Sequence, residues 1–290
     1  MGLALFLMTE KGHAVLHSML ASVGPDAIRM VIGSRDNHVQ KDYYEEIQLA
    51  CREAGVPFYD RKNSPDVAAK YALAVSWRWM IRGVENLITL HDSLLPRYRG
   101  FAPVVNALIN GEREIGVTAL YATDEYDTGD IIRQERLEIE YPIKIQQAIE
   151  QITPIYADIA GGIASSVAAG KPLPRSKQDE SQASYSLWRD DLDYQIAWTS
   201  DAARIRRFIH AVGYPYQGAR TLLNGETAII HDAVEEADVR IEERAVGKVI
   251  FQRDGMPVVV CGSGLLRITC MTTADGATLL PLKRFRSRFS

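Results

Sequence analysis

The sequence predicts an α/β protein with a Rossmann-like, mostly parallel sheet, followed by a smaller C-terminal β-barrel of OB-like character. Three observations predict this. Short apolar runs alternate with helix-period segments up to about Ala169, the pattern of parallel strands covered on both faces. The polar, Pro-containing stretch Gly170-Lys-Pro-Leu-Pro-Arg-Ser-Lys-Gln-Asp-Glu180 then interrupts it. Beyond that break, one helix precedes a series of short strands separated by Gly turns. The expected domains are residues 1–175, a linker over 176–200 and the small barrel over 201–290.

Each element follows from local pattern. Leu3 to Met8 is an apolar run that ends at Thr9-Glu-Lys-Gly12; with no basic region before it, it reads as a first core strand and not a signal peptide. Ala14 to Ala21 is helical, Ile28 to Ile32 a strand, and Tyr43 to Glu53 a helix with Ile47, Leu49 and Ala50 at helical spacing. Gly55 to Tyr59 reads as a short strand and Asp66 to Lys70 as a short helix. Leu73 to Ser76 and Leu87 to Leu90 are further strands, and Ala102 to Ile109 is a helix that Pro103 opens. Val117 to Tyr121 and Ile131 to Ile139 are strands, and Ile143 to Ala169 a long helix. Asp201 to Val212 carries Ile205, Phe208 and Ile209 on one helical face, and Tyr194, Trp198 and Phe208 belong to the small domain's core. The strands Ala219 to Leu223, Thr227 to His231, Gly247 to Phe251, Val258 to Cys261 and Leu265 to Met271 make the barrel.

Bulk properties exclude several classes. The 290 residues suffice for one large domain and one small. No apolar stretch approaches the ~18 residues that cross a bilayer. Net charge is −4, and from Ser181 onward 14 Lys/Arg face 13 Asp/Glu, so neither half is a basic platform and nucleic acid is disfavoured as a partner. Lys283 to Arg288 is a short basic cluster, read as solvated or locally paired. Three cysteines without Cys-x-x-Cys spacing predict a reduced, cytoplasmic setting. His13, His17 and His38 lack ligand spacing with Cys or carboxylates, so no metal is expected. The turn after the first strand has no Gly-x-Gly-x-x-Gly, which argues against a nicotinamide dinucleotide.

The chemistry concentrates in two segments. His91-Asp-Ser-Leu-Leu-Pro-Arg-Tyr-Arg-Gly100 places an imidazole directly after the apolar run Leu87, Ile88, Leu90 and before a turn stiffened by Pro96. Glu125-Tyr-Asp127-Thr-Gly129-Asp follows the run Ile115 to Tyr121. Strand ends are where an open α/β sheet places its ligands, so His91 and Asp127 are expected at neighbouring ends.

These segments together resemble the signature of the formyltransferases that use 10-formyltetrahydrofolate. The resemblance runs from the first strand to near Tyr156, is strongest over Thr89 to Ile132, and resumes over Trp188 to Gly218. It implies 10-formyltetrahydrofolate as formyl donor and an amine as acceptor. His91, when protonated, would donate to the oxyanion, and Asp127 would hold it there or take the amine's proton. The family usually has Asn two residues before the His; here Thr89 stands, whose hydroxyl can donate one hydrogen bond. The pterin slot maps to Ser76, Trp77, Arg78 and Met80 and to Asp124, Tyr126 and Thr128, with the two tryptophans of that stretch either stacking on the ring or packing the strand end. Arg97, Tyr98, Arg99 and Asn106 border the acceptor site, Arg97 and Arg99 as pyrophosphate contacts, although Arg99 could instead brace the turn.

The expected acceptor is a nucleotide-linked amino sugar, of the kind used in polysaccharide biosynthesis; a homodimer is left open. The alternatives are a methionyl-tRNA formyltransferase and a folate-binding protein without turnover, the second kept open by Thr89.

Overall fold

The computed structural model describes residues 2–290. The chain begins β1 (Leu3–Leu7), α1 (Thr9–Val23), β2 (Ile28–Gly33), α2 (Tyr44–Ala54), β3 (Phe58–Asp60), β4 (Ala69–Val75), β5 (Val84–His91). These five strands are parallel to one another. Then come the two-residue β6 (Arg99–Gly100), α3 (Pro103–Asn110), β7 (Glu114–Tyr121), β8 (Ile131–Glu138) and α4 (Ile145–Ala168). The sheet order is β3-β2-β1-β4-β5-β7-β8, with β7 and β8 antiparallel to their neighbours. One face packs Ala4, Phe6, Met30, Ile32, Ala72 and Ala74 into a buried cluster, with Leu87 and Trp77 against it.

Two compact units divide the chain. The first holds residues up to Val104, Glu114–Ile139 and Gln147–Leu187; the second holds Val105–Arg113, Glu140–Gln146 and Trp188–Ser290. Residues 176–187, expected as linker, therefore belong to the first unit. There β9 (Tyr185–Ser186) pairs in parallel with β6, Arg99 opposite Tyr185. The expected helix at Asp66 to Lys70 is also absent: Val67 is already buried in the sheet's core cluster and the backbone runs extended into β4. Five residues are too few to nucleate a helix against that packing.

The second unit contains α5 (Ala202–Ala211), capped by the Asp201 side chain, which accepts from Arg204 N at 2.7 Å. Its strands are β10 (Ala219–Leu223), β11 (Glu226–Glu236), β12 (Val249–Arg253), β13 (Met256–Val260) and β14 (Leu265–Thr273), ordered β10-β11-β14-β13-β12. The two edges of this antiparallel sheet are joined by residues 287–290. Leu222 and Ser290 exchange backbone hydrogen bonds of 2.7 and 2.9 Å, Phe289 N donates to Gly247 O at 2.7 Å, and Val249 N to Ser287 O at 3.2 Å. Gly247, at φ 79°, is required: a Cβ there would lie 1.9 Å from Phe289 O. The basic cluster at Lys283 to Arg288 thus runs into the strap that closes the barrel. Trp198 packs on Phe289 and donates to Thr221 Oγ1 at 3.0 Å, as a core residue of this unit.

Candidate active site

Strand β5 delivers His91, and the turn after it is held by polar contacts from its neighbours. Thr118 on β7 lies opposite His91. Its buried hydroxyl donates to Ser93 O at 2.6 Å and accepts from Leu95 N at 3.3 Å and from Gln134 Nε2 at 2.9 Å. Gln134 also donates to Leu95 O, and Ser93 Oγ closes the turn on Arg97 O at 2.7 Å. On the other side, Asp92 accepts from Lys11 Nζ at 2.5 Å and from the Tyr156 hydroxyl. Tyr98 adopts φ 59°, its N–H donating to Ser184 Oγ at 2.9 Å. That conformation turns its carbonyl onto His91 Nε2, 2.8 Å away.

A carbonyl only accepts, so Nε2 of His91 carries a hydrogen. The other ring nitrogen, Nδ1, lies 3.5 Å from Asp127 Oδ2. The ring thus lies between a main-chain carbonyl on one nitrogen and a carboxylate facing the other. Asp127 Oδ2 is itself fixed by Gly100 N at 2.8 Å. Both side chains are largely buried, at 10% and 17% exposure, so their interaction is less screened than one at the surface.

The route by which Asp127 arrives differs from the expected one. Because β5 and β7 are antiparallel, the end of β7 at Tyr121 pairs with Ile88, well back from His91. Residues 122–130 form the loop between β7 and β8, and it folds back to bring Asp127 to the His. Gly129 permits the fold: a Cβ there would sit 1.7 Å from Tyr121 O. The loop is pinned by Tyr121 N to Asp130 O at 3.0 Å and by the Thr123–Thr128 hydroxyl pair at 2.8 Å. Gln178 adds two more bonds, donating from Nε2 to Asp127 O at 2.7 Å and Gly129 O at 2.8 Å. Its Oε1 accepts from Arg99 Nε and Nη2, and Arg99 also grips Glu180 at 2.8 and 2.7 Å.

Arg99 was expected either as a pyrophosphate contact or as a brace of the turn. It is fully buried, with its guanidinium spent on Gln178 and Glu180, and it braces the turn. Two other expected site residues make contacts within the protein. Trp77 packs edge-on against Phe6 at 5.1 Å as part of the sheet's core, and Arg78 is paired with the buried Asp36 at 2.5 Å. Ser76 accepts from Thr9 Oγ1 at 3.1 Å, and Met80 is 81% exposed. Asp124 is exposed, and Tyr126 is exposed with its ring 5.5 Å from that of Phe101. Arg97 lies exposed over the Tyr98 ring, while Asn106 falls in the second unit, where its Oδ1 accepts from Arg189 Nη2 at 2.9 Å.

Thr89 shares the face of β5 that carries Leu87 and His91. At ~3.3 Å per residue it stands about 7 Å from each along the strand. Its hydroxyl takes no partner among the described residues. Leu87 lines a cavity of about 290 Å³ with Asn86, Tyr121, Thr123, Thr128, Gly129 and Arg175, whose guanidinium lies 3.5 Å over the Tyr121 ring. Of the expected folate residues, Thr128 lines it. No cluster of three or more His, Cys, Asp or Glu side chains suited to a metal occurs among the described residues.

Two family models match this chain, the formyl transferase domain over residues 59–153 and the formyl transferase C-terminal domain over residues 190–287. The methionyl-tRNA formyltransferase of Anaeromyxobacter sp. (strain K) is 31% identical over 241 residues, 78% of this chain and 75% of that protein. The chain belongs to the formyltransferase family. The methionyl-tRNA formyltransferase of Syntrophomonas wolfei is 33% identical over 207 residues, and the match spans 70% of this chain and 63% of that protein. The formyltransferase fold is shared at 15% identity and TM-score 0.71 by an N-formyltransferase from Helicobacter canadensis in complex with folinic acid and dTDP-3-aminofucose. That likeness covers 93% of this chain and 98% of the other.

Gln178 was missed in the sequence. It lies in the polar stretch read as a spacer, and a Gln that bonds to backbone carbonyls leaves no pattern of spacing to find.

Proposed function

We propose that this protein moves the formyl group of 10-formyltetrahydrofolate to the amine of a nucleotide-linked amino sugar. The His91–Asp127 pair carries the reading: an imidazole and a carboxylate 3.5 Å apart and largely buried, on the motif that marks the family. The cavity lined by Leu87, Tyr121, Thr128 and Arg175, between β5 and the loop that carries Asp127, supports a folate site beside the pair. The folate supplies the activated formyl carbon when bound.

The protein's part is then proton handling and charge stabilisation. Asp127 accepts a proton from the attacking amine, directly or through water. Once that carboxylate is neutralised, its hold on Nδ1–H of His91 weakens, and this donor becomes available to the oxyanion. Nε2–H stays on Tyr98 O and fixes the ring. Thr89, with its uncommitted hydroxyl, is the second donor in place of the family's usual Asn. In the leaving step the proton held by Asp127 passes to the folate nitrogen.

For the acceptor, near-neutral charge and the absence of a basic run in the first 180 residues support a small substrate. The H. canadensis neighbour, matched nearly end to end, was solved with such a sugar nucleotide. A second reading, formylation of methionyl-tRNA, is favoured by the names of the curated relatives.

One experiment separates them. The protein is incubated with 10-formyltetrahydrofolate and either a panel of nucleotide amino sugars or charged initiator tRNA, and tetrahydrofolate release and acceptor mass are followed. Release with an amino sugar, cut at least ~10²-fold by His91→Ala and by Asp127→Ala and little further by the double substitution, supports the proposal. Formylation of the tRNA alone, with binding that falls steeply between about 50 and 200 mM salt, overturns it.

A further inference from the structure

We infer that Gln178 is a positioning residue that sets Asp127 for proton transfer, an inference that rests on the catalytic reading of the His91–Asp127 pair. Asp127 has φ 54°, a left-handed backbone that a non-glycine residue holds only where its surroundings fix it. Its carboxylate contacts account for the side chain but not for the peptide. Gln178 supplies that part, since its Nε2 bonds the carbonyls of Asp127 and Gly129 at 2.7 and 2.8 Å. Those two carbonyls bracket Thr128, so one amide group fixes the tip of the loop on both sides.

The orientation of this amide is dictated. Oε1 lies 3.2 and 2.7 Å from Nε and Nη2 of Arg99, and a guanidinium offers only donors. The amide cannot flip, so its NH₂ must face the loop. Arg99 is held in turn by both oxygens of Glu180. Arg99 also opens β6, whose next residue, Gly100, donates its N–H to Asp127 Oδ2 at 2.8 Å. The Gln178–Arg99 contact therefore connects the two places at which Asp127 is held, its main chain and its carboxylate. A sideways displacement of ~1 Å at a reacting group can cost about 10² in rate.

Two substitutions test this. Gln178→Glu keeps the length and strengthens the pairing with Arg99, but it turns a carboxylate oxygen onto two carbonyls. Gln178→Met keeps the length and removes every bond. Both should lower kcat roughly 10- to 100-fold while KM for donor and acceptor stays near the parent's, and Gln178→Glu should keep the parent's Tm. Independently of activity, ¹⁵N-histidine spectra report the ring directly. With six histidines, His91→Ala assigns the signal. Each variant should shift Nδ1 of His91, which faces Asp127, and leave Nε2, on Tyr98 O, in place.

An unmoved Nδ1 resonance in both variants, or a parent-like kcat, would overturn the inference. So would a fall in kcat and Tm together with a rise in KM in Gln178→Glu. If the parent transfers no formyl group to any acceptor, the functional reading fails, and the Nδ1 shift still decides whether Gln178 positions Asp127.

Discussion

Replacing Arg99 by Met tests whether this residue is a brace or a ligand contact. The substitution keeps a long apolar stem and removes the guanidinium, so the cavity contribution is small. Two groups lose their donors. Glu180 has a side chain 66% exposed and rehydrates readily, so its half of the interaction contributes little to stability. Gln178 Oε1 loses both of its Arg99 donors, 3.2 and 2.7 Å away, and leaving such an acceptor unsatisfied costs about 1–3 kcal/mol. The expected destabilisation is about 1–3 kcal/mol, or a fall in Tm of roughly 2–12 °C for a unit of this size. Arg99→Lys, a single point charge without the planar fork, should fall between parent and Met. Thermal and urea unfolding followed by tryptophan fluorescence give the stability, and steady-state kinetics give KM for the acceptor. Parent-like unfolding of Arg99→Met with a large rise in acceptor KM would refute the brace and restore the pyrophosphate role.

Two further predictions concern parts away from the site. Burial lowers the pKa of His210 below its usual 6.5 and outweighs the pull of Asp232 at 2.8 Å. The unfolded chain therefore takes up the proton first, so this stability is present above about pH 6.5 and is lost as pH falls through and below that value. For Asp232, burial raises the carboxyl, but Lys144 and His210 outweigh it and hold it low, which adds a loss at more acidic pH still. Urea unfolding of His210→Gln should accordingly show a flatter pH dependence between about pH 7 and 5 than the parent; equal slopes would count against the assignment. Burial also pushes the thiols of Cys51 and Cys261 up to about 12, while Cys270 is exposed. Iodoacetamide at mildly alkaline pH should add one label to the native protein, on Cys270, and three after unfolding; early labelling of Cys51 would contradict its buried placement.

What was legible in the sequence follows from how much of each feature is local. His91 and its turn are encoded in ten consecutive residues, and the alternation of strands with helices gives the sheet. The direction of β7 is not encoded in the same way. Every residue from Ile115 to Tyr121 is buried, and a continuous apolar run carries no alternation from which orientation could be read. The fold-back of the Asp127 loop was hidden with it. The packing of Trp77 on Phe6 and the pairing of Arg78 with Asp36 join residues far apart in the chain, so local sequence left stacking on a pterin and packing the strand end both open. Arg99 posed the same problem, since its partners lie 79 and 81 positions away, in a stretch whose prolines and polar residues suggest a spacer.

The position of residues 176–187 has a consequence for modularity. A catalytic fragment cut at the composition boundary near residue 175 would lose Gln178, Glu180, Ser184 and the whole of β9, leaving Tyr98 N–H, the Arg99 guanidinium and the β6 ladder without their partners. The segments recognised by the family models, 59–153 and 190–287, both exclude this stretch, and the first also begins after β1 and β2. They mark where ancestry is readable, not where the polypeptide can be divided. Helices α3 and α4 each cross the division between the units, so neither unit is a contiguous piece of chain. Swapping the small unit between relatives, as a way to exchange acceptors, therefore calls for junctions after Leu187 and for co-transfer of residues 105–113 and 140–146.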